Sequence, residues 1–339
     1  MLTIDGSFGE GGGQIIRTSL ALSLVTGKPF RVERVRANRQ KPGLQRQHLT
    51  AVNAAAGIGR AEVSGAGVGA REFTFAPRGV VAGEYNFAIG TAGSATLVLQ
   101  TVLPPLMIAS APSLLTLEGG THNVHAPPYN FLETTFLPLI NKMGTRVRIE
   151  LARYGFYPPG GGKFNVTIEP AAMLKRLDLI ERGEMRDESA RALVVKLPPM
   201  IAERELAVVG VRMKWGAERL YVETSTNALS PGNVVMIEFE SEHLTEMFSR
   251  VGERGVRAEV IAEDVVKEAQ NYLATNAPVG EHLADQLLIP LALARGGSFT
   301  TGQLSLHTTT NIEIIKKFLD VDITAESIGD GVWKVEVSA

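Results

Sequence analysis

The sequence predicts an α/β (α+β) chain of three repeats, with a smaller α/β module inserted before the last. Two observations carry this. The order strand, glycine-led helix, strand, helix, strand recurs three times, and the recurring second helices are unevenly spaced. They begin near residues 44, 129 and 308, so the last interval is about twice the first and holds roughly one unit too many. The reading assigns residues 1–182 to a large domain (repeats 1 and 2), 183–275 to an inserted small domain, and 276–339 to repeat 3 of the large domain.

The first repeat opens with a strand at Leu2–Asp5, and Gly9–Gly13 then runs into a helix over Gln14–Val25. A strand over Val32–Ala37, a helix over Leu44–Ala56 and a strand over Glu72–Ala76 follow. In the second repeat Gly90–Ser94 opens an apolar helix through Met107. Leu114–Glu118 is a strand, Tyr129–Met143 a helix with an Asn130/Glu133 cap pair, and two long strands flank RYGFYPPGGGKF. The third begins at Gly280: EHLADQLLIPLALARGG is a helix, SFTTGQLSL a strand, HTTTNIEIIKKFL a helix, and Gly331–Ser338 a last strand. Thr310 to Glu313 has the form of a capping box, which puts His307 just outside a helix start. Within the insert, the pattern predicts helices at Ala190–Ile201, Leu244–Glu253 and Asp264–Leu273, and strands at Leu206–Lys214, Arg219–Thr226 and Val234–Glu240.

With 339 residues and 45% hydrophobic content the chain can bury a large core, and a formal charge of -2 confines any nucleic-acid contact to a local patch. The sequence contains no cysteine, which excludes disulfides, thiolate catalysis and cysteine-ligated metals, and fits a reducing, cytoplasmic setting. No apolar run approaches membrane-spanning length, and the N-terminus lacks the form of a signal peptide, so no membrane partner is expected. Nothing in the sequence sets the oligomeric state.

Four clusters could carry chemistry. In Gly9–Arg17, glycines would let backbone N–H groups approach phosphate oxygens. Glu10 could hold a divalent cation there, while Gln14 and Arg17 share a helix face that could hold a phosphate terminus. The competing reading is a plain glycine turn with an exposed arginine. From Arg34 to His48, with Arg36, Arg39, Lys41 and Arg46 between, lies the densest basic patch. It has no interleaved aromatic residue, which favours phosphate capture over base stacking, and a solvated basic turn is the alternative. His122 and His125 lack a third ligand, so the segment reads as a pocket-lining loop rather than a zinc site. Asp285 and Gln286 stand at a helix start, where capping competes with ligand contact.

GEGGGQIIRTSLALS, RANRQKPGLQRQHLTA, GTAGSATLVLQTVLPPL, RYGFYPPGGG, EHLADQLLIPLAL and HTTTNIEIIKKFL, in this order, resemble the RNA 3′-terminal phosphate cyclases. The resemblance implies four-stranded sheets with two helices in each repeat. It also implies a ligase-type, ATP-dependent reaction, with Mg²⁺ or Mn²⁺, that converts an RNA 3′-terminal phosphate to a 2′,3′-cyclic phosphate through an adenylyl-histidine. On it, His307 is the nucleophile and Glu10 the metal ligand. Gln100, Pro128, His282, Asp285 and Gln286 belong to the ATP site, and His282 stands where some members carry tyrosine. Gln14, Arg17, Arg36, Arg39, Gln47 and His48 surround the RNA-end phosphate and triphosphate. A non-catalytic, cyclase-like ribosome-assembly factor would lack several of these; His307, Glu10, Gln100 and Asp285 together favour the competent branch. A transferase acting on small phosphorylated substrates is a third possibility.

Overall fold

The protein is described by a computed structural model covering residues 1–339. Repeat 1 runs β1 (Leu2–Asp5), α1 (Gly13–Thr26), β2 (Phe30–Glu33), α2 (Arg46–Gly59), β3 (Glu62–Ser64) and β4 (Phe73–Ala76). Its sheet has the order β1-β2-β4-β3: β1 pairs β2 in parallel, Leu2 opposite Phe30, and the other pairings are antiparallel. Repeat 2 is β5 (Glu84–Ala88), α3 (Ala95–Met107), β6 (Ser113–Gly119), α4 (Tyr129–Phe131), a π-helical turn at Leu132–Phe136, α5 (Leu137–Lys142), β7 (Arg146–Arg153) and β8 (Gly162–Glu169), with the same order β5-β6-β8-β7.

After β9 (Leu177–Leu179) the chain enters β10 (Met185–Val195), α6 (Met200–Met213), β11 (Leu220–Ser225), β12 (Gly232–Ser241), β13 (Thr245–Val251) and α7 (Ala258–Leu273). These strands pair as β11-β10-β12-β13, a different topology, over an apolar cluster of their own that includes Val235, Phe239 and Val265. Repeat 3 resumes with α8 (Glu281–Leu293), β14 (Gly297–Thr301), α9 (Leu306–Phe318), β15 (Asp322–Gly329) and β16 (Val332–Ser338). Its sheet, β9-β14-β16-β15, takes its first strand from before the insert, Gly297 lying opposite Leu177. The architecture is thus the expected mixed one, with four four-stranded sheets.

Local departures have physical causes. Ala190–Val195 is a strand rather than a helix: β10 lies between two neighbours with nearly all of this run buried, and a strand buried on both faces reads as a continuous apolar run. Leu206–Met213 is helical rather than extended, since Ala202, Leu206 and Val209 put one helix face on the sheet. Leu244–Glu253 forms β13 on the edge beside β12. The strand expected to reach Ala37 stops at Glu33, because Arg34 and Arg36 take left-handed backbone conformations, φ 52° and 50°, that break the ladder.

Helices α1, α2, α3, α8 and α9 share the main core. Phe30 of β2 binds the first repeat to the third: its ring meets Phe318 of α9 edge-on at 5.9 Å, and Phe73 and Phe75 at 6.0 and 5.8 Å. Phe30 is fully buried, so Phe30→Ala is expected to destabilise the chain by about 3–5 kcal/mol, read as a lower midpoint in denaturant unfolding.

Candidate active site

The helix starts of repeats 1 and 3 meet. Ser305 N-caps α9, its hydroxyl accepting the Thr308 N–H at 3.0 Å, so His307 lies inside the first turn rather than outside the helix. Thr310, expected as a cap, is in the next turn; its hydroxyl accepts the Glu10 N–H at 2.9 Å and donates to the Leu306 carbonyl. That contact holds the glycine loop against α9, and Gly9 is required there: its φ is 51° and a Cβ would run into the Thr310 hydroxyl.

A hydrogen-bond chain crosses this junction. Gln14 donates Nε2–H to Asp285 at 2.8 Å and turns Oε1 to His307 Nδ1 at 2.7 Å. An amide oxygen only accepts, so His307 carries its proton on Nδ1 and keeps the Nε2 lone pair free. Asn311, one helical turn beyond His307, donates to the Asp285 carbonyl at 2.8 Å and accepts from Thr18 at 2.7 Å. Burial, with Arg17, His282 and Arg39 nearby, holds His307 below the usual histidine range, so its ring is neutral near pH 7 although its side chain reaches the surface.

Behind it lies a narrow cavity of about 20 Å³, lined by Gln14, Arg17, Gln100, Asp285, Gln286 and Asn311 with apolar side chains of α3 and α8. Arg17 donates to Gln100 at 3.1 Å and is drawn down to about 10 by burial against the pull of Asp285, which excludes the exposed-arginine alternative. Burial pushes Asp285 up to about 7, opposed by His282 and Arg17. Gln286 donates to the His282 carbonyl at 3.1 Å, while its own oxygen is buried without a partner.

Other residues stand around this centre. Arg39 pairs with the Glu10 carboxylate and donates to its carbonyl at 3.0 Å; Glu10 Oε2 is buried and unpaired. His48 accepts the Gln45 N–H at 3.0 Å and packs beside Gly13, close to Arg17. Gln47 accepts the Ser94 N–H at 3.2 Å, joining α2 to the α3 start. Arg36 spends its guanidinium on the Lys41 and Gly43 carbonyls, at 2.6 and 3.0 Å. Pro128 is buried at the α4 start, outside the cavity. The Asn130/Glu133 cap does not form, since Asn130 faces His122 at 2.9 Å and Glu133 accepts from Tyr129 at 3.0 Å. His122 bridges Thr121 and Asn130 in the core, and no group of three or more metal-ligating side chains occurs. Sequence reasoning had no role for Thr18 or Asn311, and gave Thr310 only that of a cap. The signal was present in HTTTN, whose Asn311 lies one turn from His307 on the same face.

A family model described as RNA 3′-terminal phosphate cyclase matches residues 8–325. The chain belongs to the RNA 3′-terminal phosphate cyclase family. Membership places it among enzymes. Curated relatives named RNA 3′-terminal phosphate cyclase include one from Koribacter versatilis (strain Ellin345), 53% identical over 95% of this chain and 90% of that protein. Another, from Ectopseudomonas mendocina (strain ymp), is 47% identical over 99% of this chain and 98% of its own, and one from Ralstonia nicotianae (strain ATCC BAA-1114 / GMI1000) is 49% identical over 99% and 97%. No helix is long and apolar enough to cross a membrane.

The histidines should titrate apart. His48 is drawn down to about 3 by burial and by Arg17 and Arg36, His307 lies below the ordinary 6.5, and His282 is raised, chiefly by Glu268. An unfolded His48 takes up a proton near 6.5 and the folded one does not, so its contribution to stability is lost as pH falls from about 6.5 toward 3. Imidazole NMR titration is expected to give this order.

Proposed function

We propose that the protein converts an RNA 3′-terminal phosphate to a 2′,3′-cyclic phosphate at the cost of ATP, with His307 as the covalent nucleophile. One observation carries the reading: the Asp285–Gln14–His307 chain leaves a neutral imidazole at the surface with its Nε2 lone pair free. Such a nitrogen attacks phosphorus without first losing a proton. The His307 N–P bond forms to the α-phosphorus of ATP as the bond to pyrophosphate breaks. An RNA 3′-phosphate oxygen then takes the adenylyl group, the N–P bond breaks, and His307 recovers its lone pair. The neighbouring 2′-hydroxyl closes on the activated phosphorus, losing its proton as AMP leaves.

Arg17, half-buried beside the nucleophile, and Arg39, held against the glycine loop through Glu10, supply positive charge for oxygens that gain charge in these displacements. Glu10 fits a divalent cation only as a single protein ligand: its buried, unpaired Oε2 is an available acceptor, and phosphate oxygens and water would complete the shell. Such an ion, Mg²⁺ or Mn²⁺, would supply charge neutralisation at the phosphates. Gln100 orients Arg17, and Asp285 with Gln286 and His282 form the nucleotide-side wall along α8. The basic Arg36–His48 segment, which brings Arg39 against Glu10 and His48 beside Gly13, is read as the approach for an RNA end, and phosphate-directed contacts need no base readout. A cytoplasmic location belongs to the same proposal.

Incubation with α-labelled ATP and divalent metal is expected to leave an acid-labile adenylate on the wild type and none on His307→Ala; equal labelling of both would overturn the mechanism. RNA ending in 3′-hydroxyl should not discharge the label as 3′-phosphate RNA does. Gln14→Met keeps the side-chain volume but releases the tautomer, and adenylate formation should slow about tenfold, the equivalent of ~1.4 kcal/mol.

The pH dependence follows from Asp285. Its carboxylate fixes the Gln14 amide, whereas its protonated form can donate to Gln14 and reverse the amide, so the limiting rate should rise through about pH 7. His307, with its lowered value, is already neutral across that limb. Asp285→Asn should flatten the limb and lower the plateau in a pH–rate profile.

A further inference from the structure

The inserted module takes no part in the chemistry above, yet its inner edge meets the first turn of α8. Glu246 of β13 is fully buried and accepts the Gly280 N–H at 2.7 Å through one oxygen and the Met247 N–H at 3.2 Å through the other. Gly280 is the N-cap residue of α8, so a carboxylate from the insert sits where that helix leaves its N–H groups unpaired and its dipole is positive. This contact sets the insert against α8.

A second contact follows on the next helix. Glu268 of α7 stands 3.9 Å from His282 Nε2, an ion-pair distance, and is held in place by Arg250 of β13. The two ends differ in exposure: Glu268 is 26% exposed with one oxygen buried and unpaired, and the His282 side chain is 59% exposed. An open ring on the nucleotide-side helix is therefore tied from behind by a carboxylate of the insert.

We propose that Glu268 is a positioning residue for nucleotide binding, acting through His282, so that the inserted module rather than the repeats orients one wall of the site. The inference rests on the reading of His282 as a nucleotide contact. An exposed imidazole left to itself samples several rotamers, and ordering it on binding costs affinity. Ordering it beforehand through Glu268 removes that cost in ground state and transition state alike. The effect should fall on half-saturation by ATP and spare the limiting rate. Glu268 also favours the charged form of the ring, which suits stacking against an electron-rich base.

The test is a double-mutant cycle in the full chain, reading the half-saturating ATP concentration and the limiting rate of adenylate formation. Glu268→Gln in the His282 background should raise half-saturation about threefold to fivefold with the limiting rate within about twofold. In a His282→Phe background, which keeps an aromatic face without a nitrogen to hold, the same change should shift half-saturation by less than about 1.5-fold. Equal factors in the two backgrounds, no change in either, or a fall confined to the limiting rate would overturn the proposal. If Glu268→Gln loses its cooperative thermal transition, Glu268→Asp, which keeps the charge but withdraws it by one methylene, carries the same cycle with the same criteria. Failure of the wild type to take label would remove the underlying nucleotide reading and this proposal with it. Labelling with equal factors would remove this proposal alone.

Discussion

The site depends on the orientation of one amide. Gln14 lies in the first turn of α1 and meets two residues nearly the whole chain away, Asp285 on α8 and His307 on α9. Because the ionised carboxylate can only accept, it takes the amide nitrogen and forces the oxygen toward the imidazole, which fixes the tautomer. Each bond contributes on the order of 1 kcal/mol to stability. Their larger effect is to make the chemistry at His307 a consequence of how repeats 1 and 3 dock. The same docking is held from below by Phe30 against Phe318, and from the side by Lys28 donating to the Phe318 carbonyl at 2.7 Å.

Burial gives these groups their properties. Arg17 and Asp285 are opposite charges withdrawn from water around one narrow cavity. Desolvation disfavours both ions, and each partly restores the other. An arginine remains charged under any such shift, whereas a carboxylate brought near 7 does not. Asp285 is therefore the member of the pair on which pH acts, and its effect reaches His307 through Gln14 without a direct contact.

The repeat was legible because its signals are local. Glycine-led helix starts and 3.6-residue apolar periodicity set α1, α3, α8 and α9 close to where they fold, and the uneven spacing of the second helices pointed to an extra unit before the third repeat. Inside the insert, local pattern failed where tertiary burial decides. Ala190–Val195 is apolar because a central strand is buried on two faces, and Leu206–Met213 alternates by accident on a helix that buries Ala202, Leu206 and Val209 against the sheet. Strands Glu62–Ser64, Glu84–Ala88 and Asp322–Gly329 all lie on sheet edges and bury almost none of their residues, so no apolar run marks them. At the site, residue types pointed to His307, Asp285 and Gln14. Their mutual bonds could not be read, since sequence gives no orientation for an amide and no distance across repeats. The resemblance to a known family supplied the roles; the geometry supplies the reason His307 can fill the one assigned to it.

That reason is sharpest when His307 is set beside His48. Both lie in the first turn of the second helix of a repeat, and both face Arg17. His48 Nδ1 accepts a backbone N–H from Gln45, so its proton sits on Nε2; His307 Nδ1 faces an acceptor, so its Nε2 is bare. His48 is 5% exposed, while His307 reaches the surface. The buried ring with Nε2–H is built to donate to an anion and cannot attack one, and the open ring with a lone pair on Nε2 has the reverse capacity. Equivalent helix starts have thus been given opposite chemistry by the partner of a single nitrogen. For His307 that partner is an amide whose direction is set by Asp285.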